Sequence, residues 1–252
     1  MSGPSQGWSV VTGGTRGIGL AISLGLVQAG HRVVAIARHH DDNVPFEVVA
    51  CDLADPSAIG ALFDSLGDVS VLVNNAGLST SAKVEATTLE DWNRNIALNA
   101  TAPFLAIQRV LPAMRARGSG RIVTVASTSS LDGFPYVAAY TASKHAVLGL
   151  MKVVAAEVRD SGIGAASVCP TYVRTDMTEA TITRIAATTG CSYEQASQRL
   201  AALTPHGRLV EPDEVALRVL ELVRAPVAVM NGAIELVDGA PANDQARWGS
   251  GT

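Results

Sequence analysis

The amino-acid sequence predicts a single doubly wound α/β domain, with a seven-stranded parallel sheet and helices on both of its faces. Segments typical of strands and of helices alternate along most of the chain, which is the pattern of consecutive βαβ units. The strand-like segments are continuous apolar, β-branched runs, as expected of strands that are buried on both faces. No linker or repeat divides the chain, so the domain is expected to cover residues 1–252.

The predicted strands share this composition and lie at residues 10–12, 32–37, 46–50, 69–74, 121–126, 165–169 and 234–237. Helices are expected between them, at residues 17–29, after Pro56, over 89–117 and at 138–157. The stretch 89–117 is expected to consist of two helices that are separated by a break near Asn99.

One segment departs from the alternation. Residues 174–207 contain no predicted strand and two short helices, at 176–187 and 193–203. Ser192 and Gln195 have the spacing of a capping box at the start of the second helix. An insertion at the carboxyl ends of sheet strands is typical of a lid over a substrate site. The alternative is a helical appendage that only packs against the domain.

Composition excludes several classes of function. Charged residues make up 17% of the chain and the net charge is −4, with lysine and arginine scattered, so neither nucleic acid nor a membrane is an expected partner. The cysteines, Cys51, Cys169 and Cys191, have no metal-ligand spacing, and no metal site is expected. An odd cysteine count and no recognisable signal peptide or membrane span favour a soluble protein of the cytoplasm.

A glycine-rich turn, VVTGGTRGIG, closes the first predicted strand and opens the first helix. Small residues let the backbone approach a pyrophosphate, and the helix N-terminus offers free N–H donors and a positive dipole end. A turn in this position is typical of a dinucleotide site in a Rossmann fold, although a tight turn without a ligand is the alternative. The spacing is G-x-x-x-G-x-G, at Gly13, Gly17 and Gly19.

The apolar helix AAYTASKHAVLGLMKVVAAE places Tyr140 and Lys144 one turn apart, and Ser127 ends the strand before it. A phenol has a pKa near ~10, which is too high for easy proton exchange at neutral pH. We expect the ammonium of Lys144 to lower the pKa of Tyr140. Tyr140 could then donate a proton to a carbonyl oxygen that Ser127 also holds. Each residue alone is more often structural, but their combination after a dinucleotide turn predicts catalysis.

Together these segments resemble the short-chain dehydrogenase/reductase family over nearly the whole chain. The matching motifs are TGGTRGIG, CDLAD after strand three, NNAG at 74–77, LNATAPF, VTVAS, YTASK, CPTYVRT, GRLVEPDEVA and VDGA. The resemblance implies a catalytic set of Asn99, Ser127, Tyr140 and Lys144. It also implies that Lys144 contacts the nicotinamide ribose and that Asn99 holds a water that relays protons.

The resemblance and the turn together predict a cofactor site that runs along the carboxyl edge of the sheet. Its residues are Gly13, Thr15, Arg16, Gly17, Ile18, Gly19, Arg38, Asp52, Leu53, Asn75, Ala76, Gly77, Tyr140, Lys144, Pro170, Val173 and Thr175. Family members form tetramers through the surface of the helix at 138–157, so a homo-oligomer, tetramer or dimer, is implied as well.

The end of the second strand decides between the two nicotinamide cofactors. An acid there binds the 2′-hydroxyl of NAD, whereas an arginine accommodates the 2′-phosphate of NADP. Ala37 occupies the acidic position, Arg38 follows, and Arg16 in the glycine turn is expected to face the same corner. Two guanidiniums favour NADP(H) over NAD(H). The alternative is a solvated Arg38, with Asp41 or Asp42 on the ribose.

The sequence therefore predicts an oxidoreductase that transfers a hydride between NADP(H) and a ketone or secondary alcohol, similar to carbonyl and 3-ketoacyl reductases. Two alternatives stay open: an NAD-dependent secondary alcohol dehydrogenase, and a cofactor-binding regulatory protein without chemistry, which the Ser127–Tyr140–Lys144 set argues against. Two features depart from the family pattern. Thr171 replaces the glycine that usually follows Pro170, and the connection after strand two is too short for a helix.

Overall fold

Seven parallel strands form one sheet in the order β3-β2-β1-β4-β5-β6-β7. The computed structural model describes residues 7–240, so the ends of the predicted domain, 1–6 and 241–252, lie outside the described residues. The strands are β1 (Trp8–Thr12), β2 (Val33–Ala37), β3 (Glu47–Ala50), β4 (Val69–Asn74), β5 (Gly120–Val125), β6 (Ile163–Pro170) and β7 (Ile234–Val237). The predicted doubly wound α/β fold is confirmed.

The strand order reverses between β1 and β4, and this reversal positions the site. The chain runs outward from β1 to β3 and then returns, so that β4 lies on the other side of β1. The connections after β1 and β4 therefore diverge and leave a crevice at the carboxyl ends of these strands, where ligands of such sheets bind.

Nine helices are described between residues 7 and 240. They are α1 (Gly17–Gln28), α2 (Pro56–Leu66), α3 (Leu89–Ile96), α4 (Ala102–Arg117), α5 (Ala138–Glu157), α6 (Asp176–Thr189), α7 (Tyr193–Ala201), α8 (Pro212–Arg224) and α9 (Val227–Met230). None of them is long and apolar enough to cross a membrane.

The sheet separates two apolar cores because alternate residues of each strand point to opposite faces. Val10 of β1 packs with α2, α4 and α5, through residues such as Phe63 and Ile107. The next residue, Val11, packs on the other face with α1 and α8, through residues such as Leu26. Helix α8 was not predicted as a separate element, yet it covers much of this second face.

A π-helical turn at Ala97–Thr101 separates α3 from α4. The predicted break near Asn99 is thereby confirmed, and Asn99 itself is buried. The side chain of Thr88 caps α3 by accepting a hydrogen bond from the backbone N–H of Asp91. The wide turn allows one polar side chain to leave the helical surface and reach the site.

The segment between β6 and β7 contains the two expected helices, α6 and α7. The capping box of Ser192 and Gln195 is present at the start of α7. The two helices pack together around buried Ile182 and Leu200. The connection from β2 to β3 contains no helix, as expected from its length.

Candidate active site

The glycine turn after β1 adopts a path that side chains would obstruct. Gly13 and Gly17 have φ values of +66° and +51°, in the left-handed region that favours glycine. A Cβ atom at Gly19 would lie 2.0 Å from the carbonyl oxygen of Gly13. The turn thus folds closely onto the start of α1 and keeps the space above it clear.

The N-terminus of α1 is suited to an anion. Its N-cap, Arg16, makes no side-chain capping bond, and no acidic residue lies in the first turn. The first N–H groups of the helix and the positive end of its dipole are therefore not neutralised from within the helix. These features fit the pyrophosphate of a dinucleotide.

Two strand ends are tied together below this turn. The backbone N–H groups of Asn75 and Ala76 donate to Oγ1 of Thr12, over 2.9 and 3.0 Å. The side-chain amide of Asn75 donates to the carbonyl oxygen of Thr12 over 3.0 Å. Thr12 was absent from the predicted site, although its position at the end of β1 was a usable indication.

At the adenosine end the predicted residues are mostly exposed. Arg38 and Asp52 lie at the surface after β2 and β3, whereas Leu53 is buried. The carboxylate of Asp52 accepts the backbone N–H of Ala54 over 2.9 Å. These positions surround the carboxyl ends of β2 and β3, as predicted for an adenosine site.

Arg16 has a different neighbour from the one expected. Its Nη1 atom lies 3.3 Å from Oδ2 of Asp176, the first residue of α6. The guanidinium therefore contacts residues 174–207, called the α6–α7 segment below. The sequence predicted that it would face the end of β2. Gly17 lies beside Thr175, since a Cβ atom there would be 3.3 Å from Cγ2 of Thr175.

The other predicted cofactor residues lie along the same carboxyl edge. They are Thr15 and Ile18 around the start of α1, Gly77 after β4, Pro170 at the end of β6, and Val173 in the loop before α6.

Ser127, Tyr140 and Lys144 lie together at the end of β5 and the start of α5. Oγ of Ser127 accepts the backbone N–H of Ser129 over 3.1 Å, and its side chain is near enough to Tyr140 to act on the pKa of the phenol. Lys144 is 5% exposed, and its Nζ donates to the carbonyl oxygen of Val125 over 3.0 Å. The same Nζ lies 5.7 Å from the centre of the Tyr140 ring.

The pKa of Tyr140 is shifted in the opposite direction to the prediction. Burial raises the pKa of Tyr140 above its ordinary value, against the smaller opposite effect of the Ser127 hydrogen bond. Burial also lowers the pKa of Lys144 to about 8. The expectation that Lys144 lowers the pKa of Tyr140 is therefore wrong for this structure. Desolvation disfavours both the phenolate of Tyr140 and the ammonium of Lys144. The ammonium donates its hydrogen bond to the carbonyl oxygen of Val125 and not to the phenol.

Asn99 links three elements through its side chain. Its amide accepts the backbone N–H of Leu78 and donates to the carbonyl oxygen of the same residue, both over 2.9 Å. Its second N–H donates to Oγ of Ser143 over 2.9 Å, and that hydroxyl donates to the carbonyl oxygen of Tyr140 over 2.7 Å. Both N–H groups of Asn99 are thus engaged with protein. A relay water on Asn99, as predicted, would therefore have to donate to one of the oxygens of this residue, and that role stays a prediction.

Ser143 is a site residue that the prediction missed. It is fully buried, three residues after Tyr140 and adjacent to Lys144. A small polar residue on the face of Tyr140 was visible in the sequence, but its partner Asn99 lies on a distant segment. Gly77 completes the arrangement, since a Cβ atom there would lie 3.1 Å from Oδ1 of Asn99 and 3.8 Å from Nζ of Lys144.

Two backbone features lie close to the ends of the site, one just before α5 and one just after β6. Tyr136 has a φ of +71° and is the only non-glycine residue with positive φ between residues 7 and 240. Its carbonyl oxygen accepts the N–H of Ala82 over 2.8 Å, which holds this conformation. Thr171, which replaces the family's usual glycine, therefore has an ordinary φ, and its N–H donates to Val237 over 3.0 Å.

Fold and site define a class of enzyme, the dehydrogenases and reductases that bind a nicotinamide dinucleotide at the switch point of a parallel sheet. Within this class, the model of the short chain dehydrogenase family matches residues 8–185. The chain belongs to that family, and it is an NAD(P)-dependent dehydrogenase/reductase.

Characterised relatives cover nearly the full length of the chain. D-beta-hydroxybutyrate dehydrogenase of Rhizobium meliloti (strain 1021) is 34% identical over 249 residues, which are 92% of this chain and 96% of the relative. Acetoacetyl-CoA reductase of Shinella zoogloeoides is 34% identical over 242 residues, with coverage of 92% and 96%. A variant of actinorhodin polyketide ketoreductase, solved with NADPH, is 34% identical, covers 94% and 98% of the chains, and superposes with a TM-score of 0.86.

Proposed function

We propose that this protein is an NADPH-dependent ketoreductase that converts a ketone, of the carbonyl or 3-ketoacyl type, to a secondary alcohol. The observation that carries the proposal is the cluster of Ser127, Tyr140 and Lys144 at the end of β5 and the start of α5, with Nζ of Lys144 5.7 Å from the centre of the Tyr140 ring. The relatives named as acetoacetyl-CoA and polyketide ketoreductases support a ketoacyl substrate.

Tyr140 is the proposed proton donor. Burial raises the pKa of Tyr140, so the phenol keeps its proton at neutral pH and is a weaker acid than a free phenol until a substrate oxygen receives that proton. A nicotinamide cofactor, when bound, would supply the hydride for the carbonyl carbon. The phenol gives its proton to the carbonyl oxygen, while the hydroxyl of Ser127 donates a hydrogen bond to that oxygen.

Lys144 is the proposed source of the proton that restores the phenol. Its pKa of about 8 lies close to neutral pH, so the amine can exchange protons readily. We assign Asn99 a positioning role, because its amide holds the loop after β4 and, through Ser143, the backbone of Tyr140.

The preference for NADP(H) is supported by the end of β2. Ala37 ends the strand and Arg38 follows it at the surface, where a guanidinium can pair with a phosphate. The acids that could replace it are engaged locally: Asp41 accepts the N–H of Asn43, and Asp42 pairs with His40, both over 2.9 Å.

The proposal includes three wider features. The α6–α7 segment acts as a lid, supported by the exposure of Met177 and Leu203 on its surface. A homo-oligomer forms through α4 and α5, where Phe104 and Val153 are 45% and 54% exposed. The free cysteines suit the reducing cytoplasm.

An NAD-dependent secondary alcohol dehydrogenase is the second candidate, favoured by the relative named D-beta-hydroxybutyrate dehydrogenase. A rate comparison separates the two. Ketones, 3-ketoacyl thioesters and secondary alcohols are tested with NADPH and NADH, or with the oxidised cofactors, by absorbance of the reduced nicotinamide. We expect the highest kcat/KM for a ketone with NADPH. Turnover of alcohols with NAD alone would contradict the proposal, and turnover of no substrate would favour a non-catalytic role.

A further inference from the structure

The ion pair between Arg16 and Asp176 connects the cofactor turn to the first residue of α6. The two residues are 160 positions apart in sequence, and their side chains meet at 3.3 Å. The adjacent residues Gly17 and Thr175 are also neighbours, so two successive positions of each segment face each other. Asp176 thus brings a carboxylate to a helix end whose own first turn contains no acid.

Breaking the ion pair of Arg16 and Asp176 should cost little free energy. The side chains of Arg16 and Asp176 are 67% and 78% exposed, and exposed ion pairs contribute little to stability. An arginine with a long, flexible side chain at the surface can therefore exchange one anionic partner for another. A phosphate dianion is a stronger partner for a guanidinium than a single solvated carboxylate.

Two arginines, Arg16 and Arg38, lie where the phosphate groups of a cofactor would approach the protein. Arg38 follows β2 and Arg16 follows β1; these two strands are neighbours in the sheet, so both residues lie at its carboxyl edge, although the guanidinium of Arg16 is turned toward Asp176. A cofactor that carries a 2′-phosphate offers an anion to both. Both cofactors bring the pyrophosphate to the start of α1, so the 2′-phosphate is the one anion by which they differ in their attraction for Arg16.

We infer that Asp176 is a specificity-determining residue: it competes with the 2′-phosphate for Arg16 and selectively weakens binding of the phosphorylated cofactor. This inference rests on the proposed preference for NADP(H). It follows that NADPH frees the first turn of α6 from the glycine turn, whereas NADH leaves the two segments paired.

The test measures cofactor binding, without substrate, by isothermal titration calorimetry on the full chain. Asp176→Asn keeps the size of the side chain and removes its charge. We expect the Kd for NADPH to fall about two- to fivefold, the range that an exposed ion pair can contribute, and the Kd for NADH to stay within about 1.5-fold. The gain in NADPH affinity should shrink at high ionic strength, because exposed charges are screened.

Arg16→Gln supplies the second arm. In this background Asp176→Asn should no longer tighten NADPH, because the guanidinium for which both anions compete is gone. Glu211→Gln is the matched control. It breaks the nearby exposed pair of Arg174 and Glu211, which meet at 2.9 Å, and should leave the ratio of the two Kd values unchanged.

Three results would overturn the inference: an unchanged Kd for NADPH, equal tightening of NADPH and NADH, or a gain that persists in the Arg16→Gln background. The cofactor preference itself fails on a different variant, if Arg38→Asp weakens NADPH and NADH equally. Thermal unfolding of each variant checks that it is folded.

Discussion

The two ends of the crevice are built in opposite ways. At the reaction end Asn99, Ser143 and Lys144 are buried, and each makes hydrogen bonds that hold it in one arrangement. At the proposed adenosine end Arg38 lies at the surface, and Arg16 in the glycine turn is also exposed and pairs with Asp176.

We expect the two ends to control different properties, namely the rate of proton transfer and the choice of cofactor. Proton transfer needs atoms within about 3 Å of each other, so its groups are braced and shielded from water. NADPH and NADH differ by one phosphate. Long, solvated side chains can distinguish the two cofactors through their charge alone. Changes at the reaction end should therefore alter the rate, and changes at the adenosine end should alter the choice of cofactor.

The largest expected effect is that of Tyr140→Phe, which removes the hydroxyl and retains the ring. We expect kcat/KM to fall about 10²- to 10⁴-fold, the usual contribution of a general acid, with cofactor affinity retained. Steady-state kinetics and calorimetric titration of NADPH measure the two quantities. Activity within a few-fold of the wild type would show that the proton donor is another group.

The next effect concerns Lys144 and the pH dependence of stability. Its pKa of about 8 lies below the ordinary 10.5, so between these values the unfolded chain binds more protons than the folded one. The contribution of Lys144 to the free energy of unfolding therefore rises with pH through this window. It should increase by about 3 kcal/mol, measured as wild type minus Lys144→Met in denaturant titrations. A difference that does not vary with pH would contradict the buried, destabilised ammonium.

A smaller effect is expected at the proposed adenosine end of the crevice. Arg38→Asp should raise the Kd for NADPH relative to that for NADH about 10- to 100-fold, because a charge-assisted bond is lost and a repulsion is added. Fluorescence or calorimetric titration gives both constants. Arg159→Asp makes the same charge change at an exposed position between α5 and β6, and should leave the ratio unaltered. Equal weakening of both cofactors by Arg38→Asp would remove the basis of the comparison.

The smallest effect is expected for Ser143→Ala. The variant loses the bonds that join Asn99 to the backbone of Tyr140, so kcat should fall about tenfold while KM stays within about twofold. Ser161→Ala is the matched control, since Ser161 also donates over 2.7 Å to the carbonyl oxygen three residues earlier, but outside the site. If both variants lose activity equally, Ser143 has only a structural role.

Much of the fold was predictable from local patterns. Uninterrupted apolar runs marked the buried strands, and the break at Asn99 and the capping box at Ser192 were found where expected. The extra length of β6 and the separate helix α8 were not predicted, because tertiary contacts extend or stabilise such segments. The catalytic and cofactor roles of the site residues stay predictions.

What the sequence did not reveal about the site depends on burial and on distant partners. The sign of the pKa change at Tyr140 follows from a balance between desolvation and charge, and burial is a property of the folded chain. Likewise, the contact of Arg16 with Asp176 joins segments that are far apart in sequence. Local spacing identifies which residues meet on one helix, but not which of several cations or anions a flexible side chain selects.

The π-helical turn at Ala97–Thr101 has a consequence for changes in chain length. One added residue widens an α-helix into a π-helical turn, so deleting one residue here would restore an ordinary spiral and leave the faces of α3 and α4 in phase. The inward aim of Asn99 would then be lost, because the side chains of the turn would follow the roughly 100° step of an α-helix. Insertions and deletions should be tolerated in the β2–β3 connection beyond Arg38 and rejected at this bulge.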